Sequence, residues 1–340
     1  MKLFVLFILA FFSSLMVCGQ QEERIMFYNV ENLFDTKNDP FTQDDDFTPQ
    51  GKKHWNKERY MLKIRHLADV VKAVGGTKWP LVVGLAEIEN RNVLRDFTTK
   101  TLLSDGEYGI VHRDGPDARG IDVALLYRQK EMQLLETDFL QIHFSEDTAM
   151  RTREVLYAKT VFRNDTLHFF VCHFPSMIGG EKKSEWKRCR VASVVRHKVD
   201  SLLIKNLEAK IVIMGDLNGK SNTQAQREVL KARDVKGKIK AGELYHTGSY
   251  LLKKSEIGTY RYQGSWQTID HILVSSGLLN GKRGIQMERQ MKVGVADFLL
   301  EEEKTYFGKK PYPSYKGLRY VGGYSDHLPI YITLYELGKR

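Results

Sequence analysis

The sequence predicts one α/β domain in which mixed β-sheet is packed against helices. Short apolar runs that end in polar or glycine turns are typical of strands. Two longer stretches repeat their apolar residues at the spacing of a helix. Some neighbouring strands are separated only by a short turn, which indicates hairpins and favours an α/β sandwich over a doubly wound parallel sheet.

The predicted elements follow one another along the whole chain. Asn56 opens a helix whose apolar positions continue to Gly75, where a pair of glycines ends it. A second helix is predicted over 185–206, and a hairpin turn at Arg163-Asn164-Asp165. The predicted strands are 25–30, 81–85, 123–127, 155–162, 167–174, 211–214, 268–275 and 328–334.

Composition excludes several classes of protein. The chain has 340 residues, of which 42% are hydrophobic, and it carries only three cysteines. A chain of this kind can bury a large core, so disordered, collagen-like and disulfide-stapled proteins are excluded. The net charge of +10 predicts attraction to polyanions or to anionic surfaces.

The N-terminus predicts export. Lys2 precedes an apolar run that is too short to span a membrane, so residues 1–19 are interpreted as a signal sequence and 20–340 as a single catalytic domain. Cys18 ends a segment that resembles a bacterial lipobox, but Val17 stands where a small residue is usual. Soluble export to the periplasm or medium is favoured, and an outer-membrane lipoprotein remains the alternative. No obligate protein partner is expected.

Two cysteines, Cys172 and Cys189, remain in the mature chain. In an oxidising compartment they can pair only if the fold brings them close, which the sequence leaves open. Neither lies at metal-ligand spacing from another cysteine, which argues against a zinc site.

Six apolar strands each run directly into a short cluster of carboxylates, amides or histidines. Such side chains lose hydration energy at strand ends, so six of them with complementary chemistry predict a common site at one rim of the sheets. The clusters centre on Asn29 and Glu31, Glu87, His173, Asp216 and Asn218, Asp270, and Asp326 and His327.

These residue types suit the hydrolysis of phosphoesters. The oxygen donors of Glu31, Glu87 and Asp326, with Asn29, suit Mg²⁺ or Mn²⁺. Asp216 is the candidate base for an attacking water, with Asn218 beside it. His173 and His327 are candidate donors to the phosphoryl oxygens, oriented by Asp270 and Asp122. Glu89 is the rival of Glu87, because strand alternation places both on one face.

The ordered motifs resemble the endonuclease/exonuclease/phosphatase superfamily, which has the fold of pancreatic deoxyribonuclease, and in particular its secreted bacterial branch. The resemblance extends from Asn29 to Pro329 and implies a four-layer α-β-β-α sandwich of two mixed sheets. It implies that Glu87 is the principal metal ligand and that Asp216 is the base. It also implies two histidine–carboxylate pairs, His327 with Asp270 and His173 with Asp122. Its motifs are Asn29-Val30-Glu31-Asn32-Leu33, Glu87, Arg119-Gly120-Ile121-Asp122-Val123-Ala124, His173, Gly215-Asp216-Leu217-Asn218, Ile269-Asp270-His271 and Ser325-Asp326-His327.

The predicted activity is therefore that of an exported, metal-dependent phosphodiesterase, foremost an endonuclease for DNA or RNA. Ala86 stands where the DNA-repair branch often has Gln, which argues against apurinic-site repair. The first alternative is a phosphatase or phospholipase-like esterase that acts on inositol phosphates or sphingomyelin-type lipids. The second is a non-catalytic nucleic-acid-binding module.

Basic residues give further candidates for substrate contact. The resemblance implies that Arg119 touches the phosphate, and Arg190 belongs to a basic segment interpreted either as a substrate face or as a solvated helix start. Residues 301–323 interleave lysines with aromatic residues, which suits either a nucleic-acid strand or a loop packed on itself. Asp44-Asp45-Asp46 is interpreted as a plain acidic loop rather than a calcium site.

Overall fold

The structure is a computed structural model that describes residues 22–252, 257–281 and 283–337. The predicted signal sequence 1–19 and Cys18 lie outside the described residues. Within those residues, no helix has the length and apolar character needed to cross a membrane.

The described residues form twenty strands and three α-helices. The helices are α1 (Lys57–Gly75), α2 (Arg91–Thr99) and α3 (Glu181–Lys205). The strands are β1 (Glu23–Leu33), β2 (Val82–Ile88), β3 (Tyr108–Val111), β4 (Asp122–Arg128), β5 (Met132–Leu140), β6 (Val155–Phe162), β7 (Asp165–His173), β8 (Lys210–Asp216), β9 (Ala232–Asp234), β10 (Leu244–His246), β11 (Tyr260–Tyr262), β12 (Ser265–Gln267), β13 (Asp270–Ser275), β14 (Gly284–Met287), β15 (Lys292–Val293), β16 (Leu300–Glu302), β17 (Lys309–Pro311), β18 (Tyr315–Lys316), β19 (Arg319–Tyr320) and β20 (Ile330–Leu337).

Two seven-stranded mixed sheets form the centre of the fold. The first has the order β14-β20-β1-β2-β4-β3, with β15 also paired to β20. The second has the order β5-β6-β7-β8-β13-β10-β9. Each contains a central parallel pair, β1 with β2 and β7 with β8, flanked by antiparallel neighbours.

Helices cover the outer faces of both sheets, which gives the four-layer sandwich expected from the sequence. The inner faces pack together through buried side chains such as Phe27 and Phe169. Because side chains alternate along a strand, Met26 and Phe170 face outwards, towards α1 and α3 respectively. Apolar side chains therefore fill three layers, one between the two sheets and one between each sheet and its helices, because the central strands are buried on both faces.

In the described residues three small hairpins extend from the sandwich, and two of them, β16–β17 and β18–β19, lie largely in the aromatic and basic segment 301–323. Tyr315 stacks edge-on with Phe47 and Tyr320, and its hydroxyl donates to the carbonyl of Lys53 at 2.9 Å. Lys316 forms a 2.6 Å ion pair with Glu301. These contacts favour self-packing for this part of the segment.

Candidate active site

Strand direction brings the six polar clusters to one rim of the sandwich. The parallel strands β1 and β2 end at this rim in the first sheet, and β7 and β8 end there in the second. Strand β13 begins there, with Asp270 opposite Asp216, because it runs antiparallel to β8. Strand β20 runs antiparallel to β1, so the segment before it carries Asp326 and His327 to the same place.

Unusual backbone conformations direct several of these side chains into the rim. Glu31, Glu87 and Asn218 have φ angles of 52°, 66° and 46°, in the left-handed region that glycine normally fills. The register of β2 against β4 shifts between Ala86 and Ile88, so Glu87 lies in a bulge. The bulge separates Glu87 from Glu89, and the two glutamates line different pockets.

Asn29 links the carboxylates of the two sheets. Its Nδ2 donates to Glu87 Oε1 at 3.3 Å and to Asp216 Oδ2 at 3.2 Å. Its Oδ1 accepts from the amide of Glu31 at 3.0 Å. With both ends of the amide engaged, Asn29 holds the carboxylates in place.

His327 and Asp270 form the first predicted histidine–carboxylate pair. Nδ1 of His327 lies 2.8 Å from Asp270 Oδ2, and its Nε2 lies 3.8 Å from Asp216 Oδ2. Burial alone would lower the pKa of His327, but the Asp270 carboxylate outweighs it and holds that pKa well above its ordinary value. Burial and the charge of Asp270 raise the pKa of Asp216 to about 7.

His173 reaches the same carboxylates but lacks the partner expected from the sequence. Its Nε2 lies 3.7 Å from Asp216 Oδ2, while its buried Nδ1 has no hydrogen-bond partner. Burial, followed by the charge of Arg153, lowers its pKa well below the ordinary value, so the ring is neutral.

The expected pairing of Asp122 with His173 is therefore absent. Asp122 accepts from the amide of Gly115 at 2.8 Å and lies beside His112 and Asp114. It begins β4, and the turn that Gly115 belongs to folds over its carboxylate before it can reach the rim.

The rim opens into a pocket of about 570 Å³. Glu87, Asp216 and Asp326 line it together with both histidines. Arg119 also lines it, and Asp117 accepts from the Arg119 amide at 3.0 Å. Arg190 does not line it: its Nε donates to the carbonyl of His143, because α3 presents this residue to the loop after β5. The basic-face interpretation of Arg190 therefore fails, since the arginine is engaged away from the rim.

The carboxylates at the rim suit a divalent cation. Glu87 and Asp326 offer hard oxygen donors to the pocket, and burial raises the pKa of the Asp326 carboxyl. Glu31 lies behind them and accepts from the amide of Ser314 at 2.7 Å. The donor set therefore fits a metal held mainly by Glu87 and Asp326.

Two features of the site were not predicted. Lys63 of α1 is buried with 3% exposure, and its Nζ lies 3.8 Å from Glu31 Oε2. Lys63 lies on the buried face of α1, where an apolar residue is usual. A lysine is rarely buried without a partner, so its occurrence on this face was the only signal in the sequence. Tyr260 stacks obliquely on His327, with ring centroids 5.0 Å apart, on a hairpin too short for periodicity to show.

Comparison with known proteins agrees with this architecture. A humanized D. rerio TDP2 is 17% identical with a TM-score of 0.54, covering 92% of this chain and 98% of that one. The human Nocturnin catalytic domain with bound sulfate is 14% identical with a TM-score of 0.56, covering 93% and 94%. An endonuclease/exonuclease/phosphatase family protein from Bacteroides thetaiotaomicron is 17% identical with a TM-score of 0.56, covering 93% and 98%. At these identities the likeness establishes the fold. No curated protein sequence matches the chain.

Sequence similarity identifies the family. The profile of the Endonuclease/Exonuclease/phosphatase family matches residues 24–336, which is almost the entire described chain. Members of this family are typically metal-dependent phosphoester hydrolases. The chain belongs to the endonuclease/exonuclease/phosphatase family.

Proposed function

We propose that the protein is an exported phosphodiesterase that uses Mg²⁺ or Mn²⁺ to cleave DNA or RNA. The observation that carries the proposal is the cluster of Asp216, His327 and Asp270, in which a carboxylate and an imidazole face the same pocket. A solved D. rerio TDP2 contains a single-strand DNA product, so this fold accommodates such a ligand. The net charge of +10 supports binding to a phosphate backbone.

The proposed reaction is direct attack of water on the phosphorus. Asp216 accepts the proton of the water, for which a pKa near neutrality is well suited. Asn218 fixes this carboxylate, because its backbone N–H donates to Asp216 Oδ1 at 2.9 Å. The side-chain Nδ2 of Asn218 donates to the carbonyl of Phe174, which holds the loop against β7.

Charge that develops on the phosphoryl oxygens requires donors. His327, kept protonated by Asp270, presents Nε2 to the pocket and stabilises that charge. His173 donates as a neutral ring, and Arg119 contacts a phosphate oxygen at the pocket wall. A bound divalent cation, held by Glu87 and Asp326, would polarise the phosphoryl group and support the leaving oxygen.

The test compares the chain from Gln20 with its Asp216→Asn variant. Each is incubated with Mg²⁺ or Mn²⁺ and supercoiled plasmid, single-stranded DNA or RNA, with and without a chelator. We expect cleavage by the wild type alone, reduced by about 10²- to 10⁴-fold in the variant. Asp105→Asn, which alters an exposed acid outside the pocket, is the matched control. Absence of cleavage by a folded, metal-loaded wild type would overturn the proposal.

Export is proposed from the N-terminal sequence and has its own test. Mass spectrometry of the protein from the envelope and medium of an expressing bacterium should find a mature N-terminus near Gln20. A diacylglyceryl group on Cys18 would instead identify a lipoprotein, and an intact Met1 would contradict export.

A further inference from the structure

Two large apolar side chains stand exposed at the mouth of the catalytic pocket. Ile178 is 87% exposed and Tyr262 is 54% exposed. Both line the pocket whose floor holds Glu87 and Asp216. Single exposed apolar residues are common on protein surfaces, but two that flank one polar site indicate a place for a ligand.

Strand β11, which carries Tyr260 and Tyr262, forms one wall of the pocket and is bonded directly to the catalytic segments. Tyr260 forms a backbone bridge with His327, and Thr259 Oγ1 accepts from the amides of Ile269 and Asp270 at 3.2 Å each. Tyr262 lies two residues further along β11 on the same face, which places it about 7 Å further out. This wall is therefore rigid relative to the reacting phosphate.

The second wall is a tight turn on a fixed base. The amide of Gly180 donates to the carbonyl of Met177 at 2.9 Å, and Gly179 has a φ of 84°, so Ile178 stands at the corner of the turn. Below it, the fully buried Arg188 donates to the carbonyls of Pro175 and Ser176 at 3.4 Å each. The fixed base keeps Ile178 at the pocket mouth.

The chemistry of the pocket limits what these walls can hold. The acids, the histidines and Arg119 on the floor of the pocket suit a phosphodiester group. Ile178 and Tyr262 at the mouth suit an apolar part of the same ligand. Gln267 also lines the pocket and supplies an amide for a polar edge. A nucleobase has both flat apolar faces and a polar edge, whereas a polyol lacks the faces and a choline group lacks the edge.

We propose that the mouth of the pocket is a subsite for one unpaired nucleobase, packed between Tyr262 and Ile178. A base within a duplex is stacked and paired on its own strands, so placing one between these walls requires a single strand or a frayed end. The preferred substrate is therefore single-stranded nucleic acid. This proposal rests on the nucleolytic function proposed above.

The test measures kcat/KM on a short single-stranded oligonucleotide, its duplex, and a series in which one nucleotide at a time is replaced by an abasic spacer. The enzymes are wild type, Tyr262→Ala, Tyr262→Phe and Ile204→Ala. Ile204 is 84% exposed and lies on α3 some 23 residues beyond Glu181 of the pocket wall, roughly 35 Å away, so it is a matched control.

We expect the wild type to prefer the single strand and to lose rate at one abasic position. Tyr262→Ala should lower kcat/KM on the intact strand by about five- to hundredfold, with Tyr262→Phe and Ile204→Ala close to wild type. At the sensitive abasic position Tyr262→Ala should cause no further loss, because the ring no longer has a base to contact. Equal losses on intact and abasic strands, or none on either, would overturn the subsite.

A binding measurement separates failure of the subsite from failure of the proposed function. Fluorescence anisotropy with a labelled single strand uses the Asp216→Asn protein with and without Tyr262→Ala. Binding that depends on Tyr262 without any cleavage by wild type would uphold the subsite and overturn the nuclease. Cleavage by wild type at a rate that Tyr262→Ala leaves unchanged would uphold the nuclease and overturn the subsite. Hydrolysis of a choline phosphodiester by a protein that neither binds nor cuts oligonucleotides would overturn both.

Discussion

Replacing the buried Lys63 by methionine should destabilise the protein strongly. The ammonium donates to Ser314 Oγ at 2.6 Å and to the Tyr324 carbonyl at 2.5 Å, and lies 3.8 Å from Glu31 Oε2. At that separation, with an effective dielectric constant of about 20, the ionic attraction is about 4 kcal/mol. Removing one partner of a buried pair typically costs about 3–5 kcal/mol, which we expect as the loss in unfolding free energy.

Urea unfolding in the presence of a chelator measures this loss. A second variant, Lys63→Met with Glu31→Gln, removes the stranded carboxylate while its amide oxygen still accepts from the Ser314 backbone, so most of the loss should be recovered. Lys52→Met, at a lysine 74% exposed and 3.4 Å from Asp46, should change stability by less than about 1 kcal/mol. A Lys63→Met loss no greater than that of Lys52→Met, or a double variant less stable than the single one, would refute the reasoning.

Three further outcomes are expected. Asp270→Asn should move the alkaline limb of the pH–rate profile to lower pH, because the carboxylate that raises the pKa of His327 is gone; an unmoved limb, measured on a small diester, would contradict this role. Burial raises the pKa of Glu89 to about 8, so the folded state holds a proton that the unfolded state releases, and stability falls as pH rises from about 4.3 to 8. Glu89→Gln should therefore unfold like wild type at pH 4 and be more stable by over about 1 kcal/mol at pH 8.5, as urea titrations would show. A chelator should abolish turnover, and Mg²⁺ or Mn²⁺ should raise the melting temperature of wild type but not of Glu87→Gln; an equal rise in both would remove Glu87 from the metal site.

The main strands were predictable because their apolar runs are buried on both faces. Strand 155–162 was predicted with the bounds that the structure has, and the first helix ends at Gly75 as predicted but starts one residue later, with Asn56 as its N-cap. Strand β5 was missed because it lies at a sheet edge and alternates few apolar residues, and α2 was missed because nine residues provide little periodicity. Local pattern therefore sufficed for the core and not for its margins.

The site was predictable in its members and less so in its pairings. Asp270 and His327 are 57 positions apart and were paired through the family resemblance, and their hydrogen bond is present. Asp122 was paired with His173 in the same way, but its carboxylate accepts a hydrogen bond from the backbone amide of Gly115 instead. Whether a strand-end side chain turns inwards depends on loop geometry, which residue types alone do not determine.

The left-handed backbone at Glu31, Glu87 and Asn218 has a consequence for laboratory evolution. Glycine or asparagine would relieve the strain at the two glutamates, each of which costs about 1–3 kcal/mol in such a conformation. A library selected only for heat resistance should therefore collect replacements at these positions and lose activity as it does so. Variants that gain stability while keeping activity should arise instead in the helices and outer loops, where robustness and turnover are not in conflict.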